Sequence, residues 1–219
     1  MKPTATRHIF RRFVQALARG LLRVATRSRV EGLHNIPSQG AALIVFNHLA
    51  HLDPVLLIAF SPRLPEGIAL SDLMSVPVTG AVLRAYGAIP VHRDRYDRQV
   101  IRAALSVLEQ GRLLALAPEA RQSPSGQLEK GREGAAYLAL KSGAPLVPVG
   151  LTGTQHAYNA WGKRARPEIT MVVGTPFHLP ENPGATRREA LEVAHRSIMT
   201  HIAQLLPPEY RGYWAEPST

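Results

Sequence analysis

From residue 30 onward, apolar positions come in short blocks and not in long runs. Segments 30–34, 41–46, 68–71, 89–91, 113–117, 146–151 and 169–173 are rich in Val, Ile and Leu and read as strands. Between them, residues 54–59, 78–86, 97–110, 133–142 and 187–206 carry apolar side chains at helical spacing. Gly111 and Gly143 stand where helix C-terminal caps belong, and Thr186 with Glu189 forms a capping box at the start of the last helix. Strands alternating with helices predict an α/β fold: a largely parallel, mixed sheet of about seven strands flanked by helices, in one domain over residues 30–219. Pro148 removes a ladder donor from the sixth strand and so marks it as an edge or a bulge.

The first 29 residues follow a different pattern. In "TRHIFRRFVQALARGLLRVATRSR" the apolar residues Phe10, Phe13, Val14, Leu17, Leu21 and Val24 recur every three or four positions. Arg11, Arg12, Arg19 and Arg23 fall largely on other faces. A basic amphipathic helix of this kind suits a membrane interface, with the apolar side at the acyl boundary and arginines on anionic headgroups. After that reading come a surface helix packed on its own domain and, last, a transit peptide.

Charge sharpens this division. Before Glu31 the chain carries Lys2, Arg7, Arg11, Arg12, Arg19, Arg23, Arg27 and Arg29 and no acid, out of a formal net charge of +10. The body is therefore nearly neutral, unlike a nucleic-acid enzyme with a basic groove, and no nucleic-acid partner is expected. No apolar stretch approaches the roughly 20 residues that span a bilayer. The expected location is peripheral, on the cytoplasmic face of a membrane with anionic lipid. With no cysteine, thiolate catalysis and cysteine-ligated zinc are excluded.

Titratable chemistry concentrates in "FNHLAHLDP" (46–54), directly after the apolar run "AALIV". Three readings compete. His48, His51 and Asp53 could ligate a metal, but no second cluster completes such a site, and no metal is expected. Asp53–Pro54 has the form of a helix start, with aspartate as N-cap and proline first in the helix. Alternatively, His48 and Asp53 form an acid–base pair; one carboxylate can serve both cap and imidazole.

Downstream segments bear on the choice. "NHLAHLDP", "GAIPVHRD" (87–94), "ALAPEARQSPSGQLEKGREG" (115–134) and "PLVPVGLTGT" (145–154) occur in that order. Together they resemble the four sequence blocks of the glycerolipid acyltransferase family, typified by 1-acyl-glycerol-3-phosphate acyltransferase. The resemblance implies that His48 is the general base for a lysophospholipid hydroxyl and that Asp53 orients it. The hydroxyl then attacks the thioester of acyl-CoA or acyl carrier protein, with no cofactor and no enzyme nucleophile. It further implies substrate-binding roles for Asn47, Gly87, Arg93, Pro118 and Glu119, with Arg93 gripping the acceptor's phosphate and Glu119 hydrogen-bonding its glycerol part. His51 lies off the motif and reads as solvated or structural.

The third block departs from the family pattern of Pro-Glu-Gly followed by Thr-Arg-Ser. Ala120 replaces the glycine, which argues that no positive φ is needed there. Gln122 replaces an arginine, and Arg121, Lys130 or Arg132 are candidates to supply the lost charge. These departures leave a different lysolipid acceptor as the alternative, beside a non-enzymatic lipid-binding protein on the same fold.

Overall fold

The structure, a computed structural model, describes residues 4–92, 97–180 and 186–215. Seven strands form one sheet: β1 (Arg27–Glu31), β2 (Ala42–Phe46), β3 (Glu66–Leu70), β4 (Ile89–Val91), β5 (Leu113–Leu116), β6 (Leu146–Thr152) and β7 (Glu168–Val173). Their order across the sheet is β1-β7-β6-β2-β5-β3-β4. Every neighbouring pair is parallel except β6 and β7. The expected fold class therefore holds.

β2 lies mid-sheet and is buried along its whole length, as a strand covered on both faces must be. Its alternating side chains feed two cores. Leu43 and Val45 join α5 (Arg98–Glu109), α6 (Gly134–Ser142) and α8 (Arg187–Gln204). Ala42, Ile44 and Phe46 meet α1 (Ala5–Ala25) and α2 (Asp53–Phe60) on the other face. The capping box of Thr186 and Glu189 opens α8, and Gly143 ends α6 in the left-handed conformation.

Three findings differ from the sequence expectations. β6 is interior, so Pro148 is no edge residue; its carbonyl accepts from the Gly174 N–H just where the β7 chain leaves the ladder. Beside α4 (Pro77–Tyr86), which matches the helix expected over 78–86, there are short helices α3 (Ser71–Met74) and α7 (Ala157–Gly162), which carry no periodic pattern long enough to show in sequence. Finally, β1 begins at Arg27, so the boundary drawn between residues 29 and 30 falls inside a strand paired with β7.

α1 turns its polar side inward. Gln15 Nε2 donates to the carbonyls of Ile58 and Ser61, and Arg19 Nε to that of Ala59. These acceptors belong to the last turn of α2, where carbonyls lack intrahelical partners. Arg11, only 2% exposed, pairs with Glu66, donates to the carbonyls of Leu64 and Pro65, and lies 4.4 Å over the Tyr86 ring. The apolar stripe of Ile9, Phe13, Leu17, Leu21 and Val24 consequently faces outward, with Phe13 at 62% and Val24 at 76% exposure. Val76 and Val78, at the start of α4, are exposed as well. Among the described residues no helix is long and apolar enough to cross a membrane.

Candidate active site

The chain leaves β2 at Phe46 and passes directly into Asn47 and His48. Asn47 is fully buried; its side-chain nitrogen donates to the Leu151 carbonyl at 2.9 Å and its oxygen accepts from the Leu151 N–H at 2.7 Å. The amide extends the β2–β6 ladder by one rung and fixes the point where the strand ends. Asn47, expected to bind substrate, is held here as part of the frame of the site.

The turn after His48 returns the chain so that His48 Nδ1 lies 2.8 Å from Asp53 Oδ2. That oxygen also accepts the N–H groups of Leu49, at 2.6 Å, and Ala50, at 2.8 Å. The other oxygen, Oδ1, accepts the Thr154 hydroxyl at 2.5 Å. Asp53 and Thr154 are both fully buried. A carboxylate ringed by donors acts as an acceptor, which puts the ring proton of His48 on Nδ1 and leaves Nε2 as the basic nitrogen. The imidazole is 22% exposed, and Nε2 has no hydrogen bond to a described residue.

Asp53 is thus the first helical residue of α2 and not its N-cap; that position belongs to Leu52, whose side chain makes no capping bond. The Asp53 carboxylate bonds backward to the turn instead of forward into α2. The pure helix-cap reading fails, and the pairing with His48 is the arrangement found.

The third block is pinned to the same turn. Glu119 Oε1 accepts the backbone N–H of His48 at 2.7 Å, and Oε2 that of Glu129 at 2.9 Å. In return the Ser123 N–H donates to the His48 carbonyl at 2.8 Å. Burial pushes the Glu119 carboxyl up to about 7, against the two backbone hydrogen bonds that favour its charged form. Both oxygens of Glu119, the residue expected to meet the acceptor's glycerol part, hold loops in place. Pro118 is buried, and its carbonyl accepts the Arg132 N–H at 2.8 Å.

Ala120 has φ of 57°, so the left-handed conformation is needed there after all. The expectation drawn from the missing glycine is overturned, because the chain must turn sharply between the pinned Glu119 and Ser123. Arg121 is exposed and pairs with Glu129 at 2.7 Å, while the Lys130 ammonium sits 5.9 Å from the Tyr213 ring centroid. His51 is exposed. Gly87 takes φ of 89° as the left-handed C-cap of α4 and, with Arg7, Arg84 and His92, lines a concavity of about 550 Å3 at the second block. Arg93 lies outside the described residues.

Thr154 and Ser123 are the site residues that sequence reasoning missed. Thr154 closes the fourth block, but nothing in a local pattern says that a hydroxyl 101 positions away meets Asp53.

Comparison with known proteins yields a consistent group. A family model described as Acyltransferase matches residues 27–152. Over 133 residues the chain is 32% identical to a 1-acyl-sn-glycerol-3-phosphate acyltransferase of Borreliella burgdorferi, covering 59% of this chain and 52% of that one. Over 195 residues it is 25% identical to a protein of the same description from Pseudomonas aeruginosa, covering 88% and 75%. The chain thus spans about half the length of the Borreliella relative, and 36% of the chloroplastic LPAT1 of Arabidopsis thaliana. The crystal structure of the 1-acyl-sn-glycerophosphate (LPA) acyltransferase PlsC from Thermotoga maritima superposes with a TM-score of 0.71 at 21% identity, over 91% of this chain and 80% of that one.

Proposed function

This chain belongs to the Acyltransferase family, and from that premise we propose that it moves a fatty acyl group from a thioester to a lysophospholipid hydroxyl. The acceptor is 1-acyl-glycerol-3-phosphate and the product phosphatidate; the donor is acyl-CoA or acyl carrier protein. The relatives' names support this acceptor. The single observation that carries the chemistry is His48 Nδ1 held at 2.8 Å by a buried Asp53, with Nε2 making no hydrogen bond to any described residue.

His48 Nε2 takes the proton of the acceptor hydroxyl as its oxygen attacks the thioester carbonyl. Asp53 keeps the imidazole in the required tautomer and stabilises the imidazolium that forms. Collapse of the tetrahedral intermediate breaks the carbon–sulfur bond. The imidazolium returns the proton to the departing thiolate, so the enzyme ends as it began.

The outward stripe on α1 docks the protein on the bilayer, where acceptor and product reside. Confinement to that surface supplies the acceptor at high local concentration.

Radiolabelled acyl-CoA, incubated with the purified protein and a panel of lysolipids, tests the proposal. Labelled phosphatidate is the expected product. Gln122, together with the engagement of Arg121 by Glu129, favours one alternative, a less anionic acceptor. Label in another phospholipid alone would establish that reading, and no transfer to any acceptor would refute acyl transfer.

A further inference from the structure

At the opposite end of the sheet from His48, a second concavity of about 220 Å3 opens where β3 and β5 begin. Leu113 stands level with Ala42 in the register of β5 and β2, and His48 lies six residues beyond Ala42. At about 3.3 Å per residue, the two places are on the order of 20 Å apart. This cup is no part of the candidate active site.

Its lining is strongly cationic. Among the described residues, Arg11, Arg12, Arg63 and Arg112, with His8, face a single carboxylate, that of Glu66. Glu66 Oε1 accepts from both Arg11 Nη1 and Arg112 Nη2, so one acid is shared between two guanidiniums. Arg63 is held by the carbonyls of Pro37, Gly40 and Gly111, which satisfy its donors without cancelling its charge. Four guanidiniums against one carboxylate leave three positive charges in excess, with His8 neutral. Donors are unused as well. Among the described residues Arg112 donates only to Glu66 and Arg12 only to Gln15, although each guanidinium carries five N–H groups. Among the described residues Arg11 Nε is buried without a hydrogen-bond partner.

Position supplies the second half of the case. On α1, His8, Arg12, Arg19 and Arg23 follow one edge of the exposed stripe formed by Ile9, Phe13, Leu17, Leu21 and Val24. With that stripe in the acyl boundary, the edge bearing His8 and Arg12 lies at headgroup level, and these two residues form one wall of the cup. We propose that the cup is a binding site for the phosphate of an anionic lipid headgroup, separate from the acceptor being acylated. It fixes the depth and rotation of α1 on the membrane. The lipid source rests on the docking reading given above, whereas the phosphate chemistry rests on the cup alone.

The full-length protein tests this with Arg12→Gln and, as a control, Arg23→Gln, which removes one charge from the same edge outside the cup. In solution, inorganic phosphate should produce a saturable shift of the Arg11 Nε–Hε NMR signal, lost in Arg12→Gln and kept in Arg23→Gln. On vesicles of phosphatidylcholine with phosphatidate, Arg12→Gln should weaken binding tenfold or more and Arg23→Gln at most about fivefold, the effect of one diffuse surface charge. Equal losses in the two variants would overturn the headgroup assignment, and so would the absence of a saturable phosphate shift. A phosphate shift with equal vesicle losses would make the cup a free-anion site and also overturn it. Failure of docking itself would look different, because the wild type would then bind no vesicle and Phe13→Asp would change nothing.

Discussion

The Thr154 hydroxyl and the Asp53 carboxylate meet at 2.5 Å inside a fully buried pocket, one from the segment after β6 and the other from the start of α2. The bond matters because Asp53 Oδ2 is already engaged with His48 Nδ1 and two backbone amides. Thr154 fixes the remaining oxygen and with it the plane of the carboxylate. The proposed base is therefore held from two sides: Asp53 and Thr154 at the ring, Glu119 and Ser123 at the backbone.

Thr154→Val should keep the volume and remove the donor. We expect kcat to fall about tenfold with KM little changed, and stability to drop by about 1–3 kcal/mol from the unsatisfied carboxylate oxygen. Thr154→Ser should restore most of both. Steady-state kinetics beside thermal melts separate the effects; a variant with normal kcat would show that Thr154 only packs.

Asp53→Asn places an amide where an acceptor oxygen is required and favours the wrong imidazole tautomer. By analogy with a catalytic triad, kcat should fall by about four orders of magnitude. Some stability should be lost too, because the amides of Leu49 and Ala50 share the same oxygen. The His48→Ala variant should be inactive yet folded. Activity of Asp53→Asn within tenfold of the wild type would reduce Asp53 to a loop-holding residue.

How much of this was visible in sequence depended on range. The seven strands, the longer helices flanking them and the His48–Asp53 pair are local patterns of apolar spacing and a short motif, and they appear near their expected places, β1 shifted by three residues. Asn47, Glu119 and Thr154 have partners 104, 71 and 101 positions away, so no window along the chain reports what their side chains do. The inward face of α1 was hidden for a related reason. A periodic pattern shows that a helix has two faces, but only the exposed carbonyls at the end of α2 make the polar one the packing face.

Glu119 predicts a pH dependence of stability. Its carboxyl is near 4.5 in a free chain and about 7 in the fold, so the folded state binds the proton more tightly. The associated stability is complete below 4.5 and is lost as pH rises toward 7, on the order of 3 kcal/mol. Denaturant melts of wild type and Glu119→Gln across this range check it. The difference between them should change with pH in that direction; parallel curves would contradict a raised carboxyl.

Ala120 sits at φ of 57°, a conformation that costs a residue with a Cβ about 1–2 kcal/mol. Ala120→Gly should therefore stabilise the protein by about 0.5–1 kcal/mol after the added freedom of the unfolded chain is counted. A rise of about 2 °C in Tm is the expected reading. A fall would mean that the methyl group contributes packing the conformation does not reveal.

Membrane docking by α1 needs a test that leaves the fold intact, and removal of residues 1–29 does not qualify. That deletion strips Glu66 of Arg11, removes Leu22 from the core and takes β1 away from its pairing with β7. Phe13→Asp and Leu17→Asp act on the outward stripe instead. Each residue is half or more exposed, so stability should change by no more than about 0.5 kcal/mol. Each should forgo about 1.5–3 kcal/mol of apolar transfer into the bilayer, so flotation with anionic vesicles should weaken by at least tenfold per substitution. Thermal melts that match the wild type, together with unchanged flotation, would leave the stripe without a role at the membrane.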